Sequence, residues 1–323
     1  MTTTEVPISQ IDPQLRQTTS ELLHRWEKGT LSYQEILEQM TLLKRQAIAD
    51  KRPSDEGHIE SRLGVMQGYR GNYDASIEHF ERARELYLQA GNRLEVVGTI
   101  LNIGENYRLK GNYARARQCF QASYEAGVAI ADVSSQIISR SNEAQVLISL
   151  ERYEQAETML LECLARSDEP WRNEPIDHGR GRKAHLCEML HGLAQIYLAL
   201  KQPGLAWEHA KRALAVAHEL NIQLRLGYAN RIIGMVLTQL GNRDEEGFDK
   251  EPDVYFQAAI QAFRSIKADG EIAKTLYEQG LSLGKRGKKQ LGARKLQQAM
   301  LIFSKLGNVS DAAKAAKEQL ALL

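Results

Sequence analysis

LNIGENYRLKGNYARARQCFQAS, residues 101–123, decides the fold. Apolar and aromatic side chains return every three or four positions on both sides of Gly111-Asn112, the spacing of one helix face rather than the alternation of a strand. Gly104 and Ala116 are small where the two helices must cross, which lets their axes approach to roughly 8–10 Å. Tyr107 and Phe120 are then placed to fill the wider space on either side. Gly111-Asn112 adopts a left-handed or turn conformation at little steric cost and ends the first helix. The segment reads as a helical hairpin.

The same offsets recur along the chain with a beat near forty residues, closing at Gly71, Gly111, Glu151, Lys201, Gly241 and Gly287. The first copy carries Gly64, Ser76 and Phe80, and the third Ala144, Ala156 and Leu160. The fourth carries Ala194, Ala206 and Ala210, the fifth Gly234 and Phe256, and the sixth Gly280, Gly292 and Leu296. One hairpin cannot bury its own apolar face, so successive copies must stack, with stability summed over local and nearest-neighbour terms.

This L-G-x2-Y…A-x3-F pattern resembles the tetratricopeptide repeat family, in a variant with units of about forty residues rather than 34. The resemblance implies an all-α, right-handed superhelical solenoid of stacked antiparallel helix pairs. Six units are expected over 56–308, with breaks near 92, 132, 182, 222 and 268. A disordered N-terminus is expected at 1–11, a helical hairpin at 12–52 and a C-terminal capping helix at 309–323.

Asp12-Pro13 reads as an N-cap followed by proline at the first helical position. Ser32 and Glu35 have capping-box spacing, with Leu31 and Ile36 set to form a hydrophobic staple. Arg52-Pro53 and Gly57 read as a linker, and the hairpin before them is either a cap on the first repeat or a docking module. In the last segment, Ala312, Ala313, Ala316 and Leu320 are expected to cover the final repeat.

Composition excludes several classes. A 323-residue chain that is 43% apolar with seven prolines can bury a continuous core, and a formal charge of +1 makes it no general polyanion binder. Apolar runs stay too short for a membrane span and no signal-peptide blocks open the chain, so a cytoplasmic protein is expected. Cys119, Cys163 and Cys187 are odd in number and read as packing residues. His185, Cys187 and His191 lack a second ligand pair, and no nucleotide-binding or hydrolase motif is present. Neither a metal, a cofactor nor an enzyme activity is expected.

In this family the inner face is lined by the first helix of each unit. The resemblance places Arg62, Asn102, Glu105, Arg108, Asn142, Gln145, His191, Gln195, Arg231 and Tyr277 there. Asn102 and Asn142 stand two residues before the small position, where asparagines of peptide-binding relatives hold a ligand backbone. An amide suits that task because it offers both a donor and an acceptor. Arg62, Arg108 and Arg231 can meet acidic groups through forked hydrogen bonds.

Two insertions break the beat. Ser167 to Arg182 carries Trp171 and Arg172, either a hook for a partner or a lid, together with a basic run through Lys183. Arg243 to Asp253 is acidic and faces a basic edge at Lys285, Arg286, Lys288 and Lys289. The expected function is a protein-interaction scaffold gripping a peptide or helical segment of another protein. The alternatives are a regulatory or assembly subunit of a larger complex, and nucleic-acid or anionic-surface attachment through 285–295, nucleic acid being the less favoured partner.

Overall fold

The structure is a computed structural model that describes residues 10–169, 180–241 and 247–323. Its described residues form fifteen helices and no strand. In chain order they are α1 Pro13–Glu27, α2 Tyr33–Ala49, α3 Pro53–Tyr69, α4 Tyr73–Gln89, α5 Arg93–Leu109, α6 Tyr113–Ala129, α7 Val133–Ser149 and α8 Tyr153–Ala165. There follow α9 Arg180–Ala199, α10 Pro203–Leu220, α11 Gln223–Leu240, α12 Pro252–Ser265, α13 Asp269–Lys285, α14 Lys289–Lys305 and α15 Val309–Leu322. They divide into two compact units, the first holding α1–α8 apart from Tyr69–Gly71, the second α9–α15. Within the described residues no helix is long and apolar enough to cross a membrane.

The forty-residue beat of the sequence is a twenty-residue beat of the backbone. Lys51, Gly71, Gly91, Gly111, Ala131 and Glu151 all have positive φ, as do Lys201 and Asn221 and then Lys267, Gly287 and Gly307. From Lys51 to Glu151 each such residue lies two positions past the last residue of a helix, and the next N–H returns to the carbonyl five residues back. Asn72 bonds Gln67 at 3.0 Å, Asn112 bonds Tyr107 at 2.8 Å and Arg152 bonds Leu147 at 2.9 Å. This closing loop satisfies carbonyls that a helix end leaves orphaned. At two of these joints the residue that closes one helix also caps the next: Asp132 accepts from Ser135 N at 2.9 Å, and Asn112 from Arg115 N at 3.3 Å, whereas Asn72, Asn92 and Arg152 make no such side-chain bond. Seventeen-residue helices joined in this way account for a unit longer than the usual 34 residues.

The small positions let aromatic rings in. A Cβ on Gly104 would lie 2.8 Å from the Phe120 ring, on Gly64 3.0 Å from Phe80, and on Gly234 3.0 Å from Phe256. Phe120 therefore lies directly over Gly104 rather than beside it, correcting the packing expected from the sequence. Ser76 Oγ donates to Gly64 O at 2.7 Å, tying the two helices of the first repeat together. One position class further along, Ser123 Oγ donates to Val97 O at 3.3 Å and Cys163 Sγ to Ile137 O at 3.7 Å. The three cysteines are free thiols. Burial raises the Cys163 and Cys187 thiols to about 11, which keeps them protonated.

At the N-terminus both caps form. Asp12 accepts from Gln14 N and Leu15 N, and Ser32 and Glu35 exchange the two bonds of a capping box at 2.8 and 3.2 Å. No linker follows: Pro53 opens α3, and Gly57 lies inside it, where a Cβ would meet the Tyr87 ring at 3.1 Å. Helix α1 is fastened to α3 and α5 by Arg52–Asp12 at 2.9 Å, Thr19–His58 at 2.7 Å and Arg16–Glu95 at 2.7 Å. Helix α2 is held through Lys44–Glu60 at 2.6 Å, whose carboxylate also meets His79 on α4 at 2.6 Å.

Three further expectations are corrected. The basic run 180–183 opens α9 rather than lying in a loop, and Asp253 belongs to the first turn of α12. The C-terminal helix turns a different face inward: Ala312 and Ala315 are buried, while Ala313 is exposed and Leu320 is 74% exposed. Leu322 fills the hollow left by Gly284 and Gly292, whose added Cβ atoms would meet it at 2.7 and 2.9 Å. Those two glycines set the rotation of α15.

Candidate functional site

In the first unit the first helices of successive repeats touch, α5 against α7, and carry Asn102 and Asn142 at equivalent positions. Both asparagines are half-buried. Neither side-chain amide makes a hydrogen bond with the described residues. Asn106, one turn beyond Asn102, behaves differently: its Nδ2 donates to Asn102 O at 2.8 Å and it is buried. Glu105 and Arg108 are brought together as a fork on α5, at 2.7 and 2.5 Å, so much of each charge is met by the other. Arg62 and Gln145 are half-buried on α3 and α7, and Arg62 Nε is enclosed without a hydrogen-bond partner among the described residues.

The second unit builds the corresponding face as a cross-linked ladder. Helix α11 touches α9 and α13. Glu188 on α9 pairs with Arg225 on α11 and with His185 at 2.9 Å. Burial would raise the Glu188 carboxyl, but Arg225 and His185 outweigh it and hold it well below the usual carboxylate range. Arg231 on α11, 7% exposed, meets Glu271 on α13 at 2.7 Å and lies over the rings of Tyr228 and Phe263. Glu271 also accepts from Lys274 at 2.9 Å; against the raising effect of burial, Lys274 and Arg231 hold it at about 2. Arg231 is thus closed into the protein rather than presented to a ligand.

His191 packs against Tyr228 with ring centroids 5.7 Å apart, and its Nε2 is enclosed without a hydrogen-bond partner among the described residues. Burial, reinforced by Arg231, lowers it to about 3, so the imidazole is neutral. Tyr277 is half-buried, and burial together with Glu278 lifts its hydroxyl to about 12. Gln195 is half-buried on α9. Sequence reasoning missed Glu188, Arg225 and Glu271. The signal was present: two arginines on α11, a helix without one acidic residue, need anions from neighbouring helices.

At the basic edge, Arg286 pairs with Asp253 at 2.9 Å and Glu251 at 3.5 Å. Lys285, Lys288 and Lys289 are exposed. Trp171 and Arg172 lie outside the described residues. Among the described residues, no group of three or more His, Cys, Asp or Glu side chains is placed to hold a metal ion.

The family model described as tetratricopeptide repeat matches residues 55–126 and 96–169. Residues 55–169, a little over a third of the chain, are thus similar to tetratricopeptide repeats. The chain's architecture is similar to that of several solved helical-repeat structures. Aspartyl phosphate phosphatase F from Bacillus subtilis is 14% identical, with a TM-score of 0.59 over 93% of this chain and 73% of that one. A Rap protein complexed with Competence and Sporulation Factor is 14% identical, with a TM-score of 0.56 over 97% and 87% of the two chains. The apo form of the quorum sensor NprR from B. thuringiensis is 13% identical, with a TM-score of 0.54 over 96% and 86%. At such identities the likeness is one of fold. No curated protein matches the sequence.

Proposed function

We propose that this chain is a protein-interaction scaffold, holding a peptide or helical segment of a partner on the face made by the first helix of each pair. One observation carries the reading. Asn102 and Asn142 are equivalent, half-buried amides on touching helices, and neither hydrogen-bonds within the described chain. Half-buried amides without internal partners are matched to a ligand backbone, which brings both a donor and an acceptor at each peptide unit. A Rap protein of the same architecture is described in complex with Competence and Sporulation Factor, which agrees with a binding role for the fold.

The proposal assigns binding and no chemical step. Because one architectural neighbour is named a phosphatase, an assay with an aspartyl-phosphate protein is the direct check on that half of the reading. The binding half is tested by affinity purification of the wild-type chain beside the Asn102→Ala, Asn142→Ala double variant. A protein retained by the wild type and lost from a folded variant is the expected result. Equal recovery of the same proteins by both overturns the assignment of the site.

A further inference from the structure

We propose that the outer face of α14 is a docking surface for an acidic amphipathic helix of another protein, separate from the face that carries Asn102 and Asn142. Helix α14 contains Lys289, Arg294, Lys295 and Lys305 and no aspartate or glutamate, and its N-cap is Lys288. Cations at a helix N-terminus oppose the macrodipole, so local helix stability does not account for Lys288 and Lys289. Nor does internal pairing: among the described residues none of Lys289, Arg294, Lys295 and Lys305 takes part in an ion pair. Arg286, the neighbouring cation on α13, is by contrast already met by Asp253 and Glu251.

The apolar residues on this face are equally unemployed. Ala293, Leu296, Ala299 and Phe303 point into the core, whereas Leu291 and Leu301 are 50% and 58% exposed. Leu291, Arg294, Gln298, Leu301 and Lys305 follow one another at three- and four-residue steps, so they form one stripe along the helix. At about 1.5 Å per residue the stripe runs for roughly 21 Å.

The alternation decides the class of partner. Each leucine lies within one turn of a cation, so an occupant must bring apolar and acidic groups in the same rhythm, as an amphipathic helix does. A phosphate backbone brings charge without apolar anchors. A bilayer surface would have to desolvate the exposed Gln290, Gln297 and Gln298 that flank the leucines.

The test uses the full chain and a synthetic eighteen-residue helical peptide with leucines at three- and four-residue spacing and glutamates beside them. Fluorescence anisotropy is read against a scrambled peptide of the same composition, a DNA duplex and phosphatidylserine vesicles. Micromolar binding of the patterned peptide alone is expected, weakened more than about tenfold by R294E/K305E and likewise by L291S/L301S. N102A/N142A should leave it unchanged, which separates this surface from the proposed peptide site. The four α14 positions are exposed, and the folding of every variant is checked by helical circular dichroism. The proposal is overturned if the patterned peptide does not bind or if scrambled peptide, DNA or vesicles bind as well. It is also overturned if either α14 variant binds normally.

Discussion

Arg231 and Glu271, on neighbouring helices of the second unit, form an ion pair at 2.7 Å with each side chain less than a tenth exposed. Taking two charges out of water is costly, and the pair persists because Lys274 adds a second donor to the carboxylate while the guanidinium lies over two aromatic rings. Removing one partner leaves the other buried and uncompensated. Arg231→Met is therefore expected to cost about 3–5 kcal/mol, and Arg231→Met with Glu271→Leu to recover most of it. Chemical denaturation of the two variants measures the difference.

The glycines of the helices divide into two kinds that opposite outcomes should separate. A Cβ on Gly227 would lie 2.4 Å from the Phe263 ring, so Gly227→Ala is expected to destabilise by about 1–3 kcal/mol. Gly98, inside α5, has nothing within 4 Å of an added Cβ, and Gly98→Ala should stabilise by about 0.5–1 kcal/mol through helix propensity alone. Urea midpoints for the pair are the readout, and a loss of stability at both positions would contradict the packing described.

Glu151 and Lys201 hold φ at +58°, a conformation that costs an L-residue roughly 1–2 kcal/mol and glycine almost nothing. Part of the gain is offset by the greater freedom of glycine in the unfolded chain. Glu151→Gly and Lys201→Gly should each raise stability by about 0.5–1 kcal/mol. Gly111→Ala, at φ +79°, should lower it.

Acid should loosen the protein in two stages. His191 falls to about 3 when folded, from 6.5, and burial also lowers His58 well below that value. The unfolded chain therefore takes up protons first, so their contribution is complete above pH 6.5 and declines as pH falls from there toward 3. Glu271, lowered from 4.5 to about 2, contributes stability that is complete above pH 4.5 and lost as pH falls through about 2. The melting temperature is expected to drop between pH 7 and 5, and less steeply in His191→Gln. A profile in that range identical to wild type would remove His191 from the account.

Much of the fold was legible because its signals are local. A capping box needs only Ser32 and Glu35, and a helix stop needs only Gly71 or Gly111. The stops at Ala131, Glu151 and Lys201 have no signature of their own and were found only through the phase of their neighbours, since the chain on both sides forces the strained residue into line. Asn102 and Asn142 were singled out by their place in the repeat, and that their side-chain amides make no hydrogen bond with the described residues is visible only in three dimensions.

The sequence by itself determined the helix pairs within each unit and where most of their helices stop, because periodic apolar spacing, small crossing residues and helix caps act within a few positions along the chain. Only the tertiary structure decided which charged side chains remain open. Arg231 looked like a groove residue until Glu271, forty residues away, was found beside it, and Leu320 looked like a core residue until Gly284 and Gly292 gave that place to Leu322. Both outcomes depend on the rotation of one helix against another, which is fixed by close contacts between distant residues and has no local code.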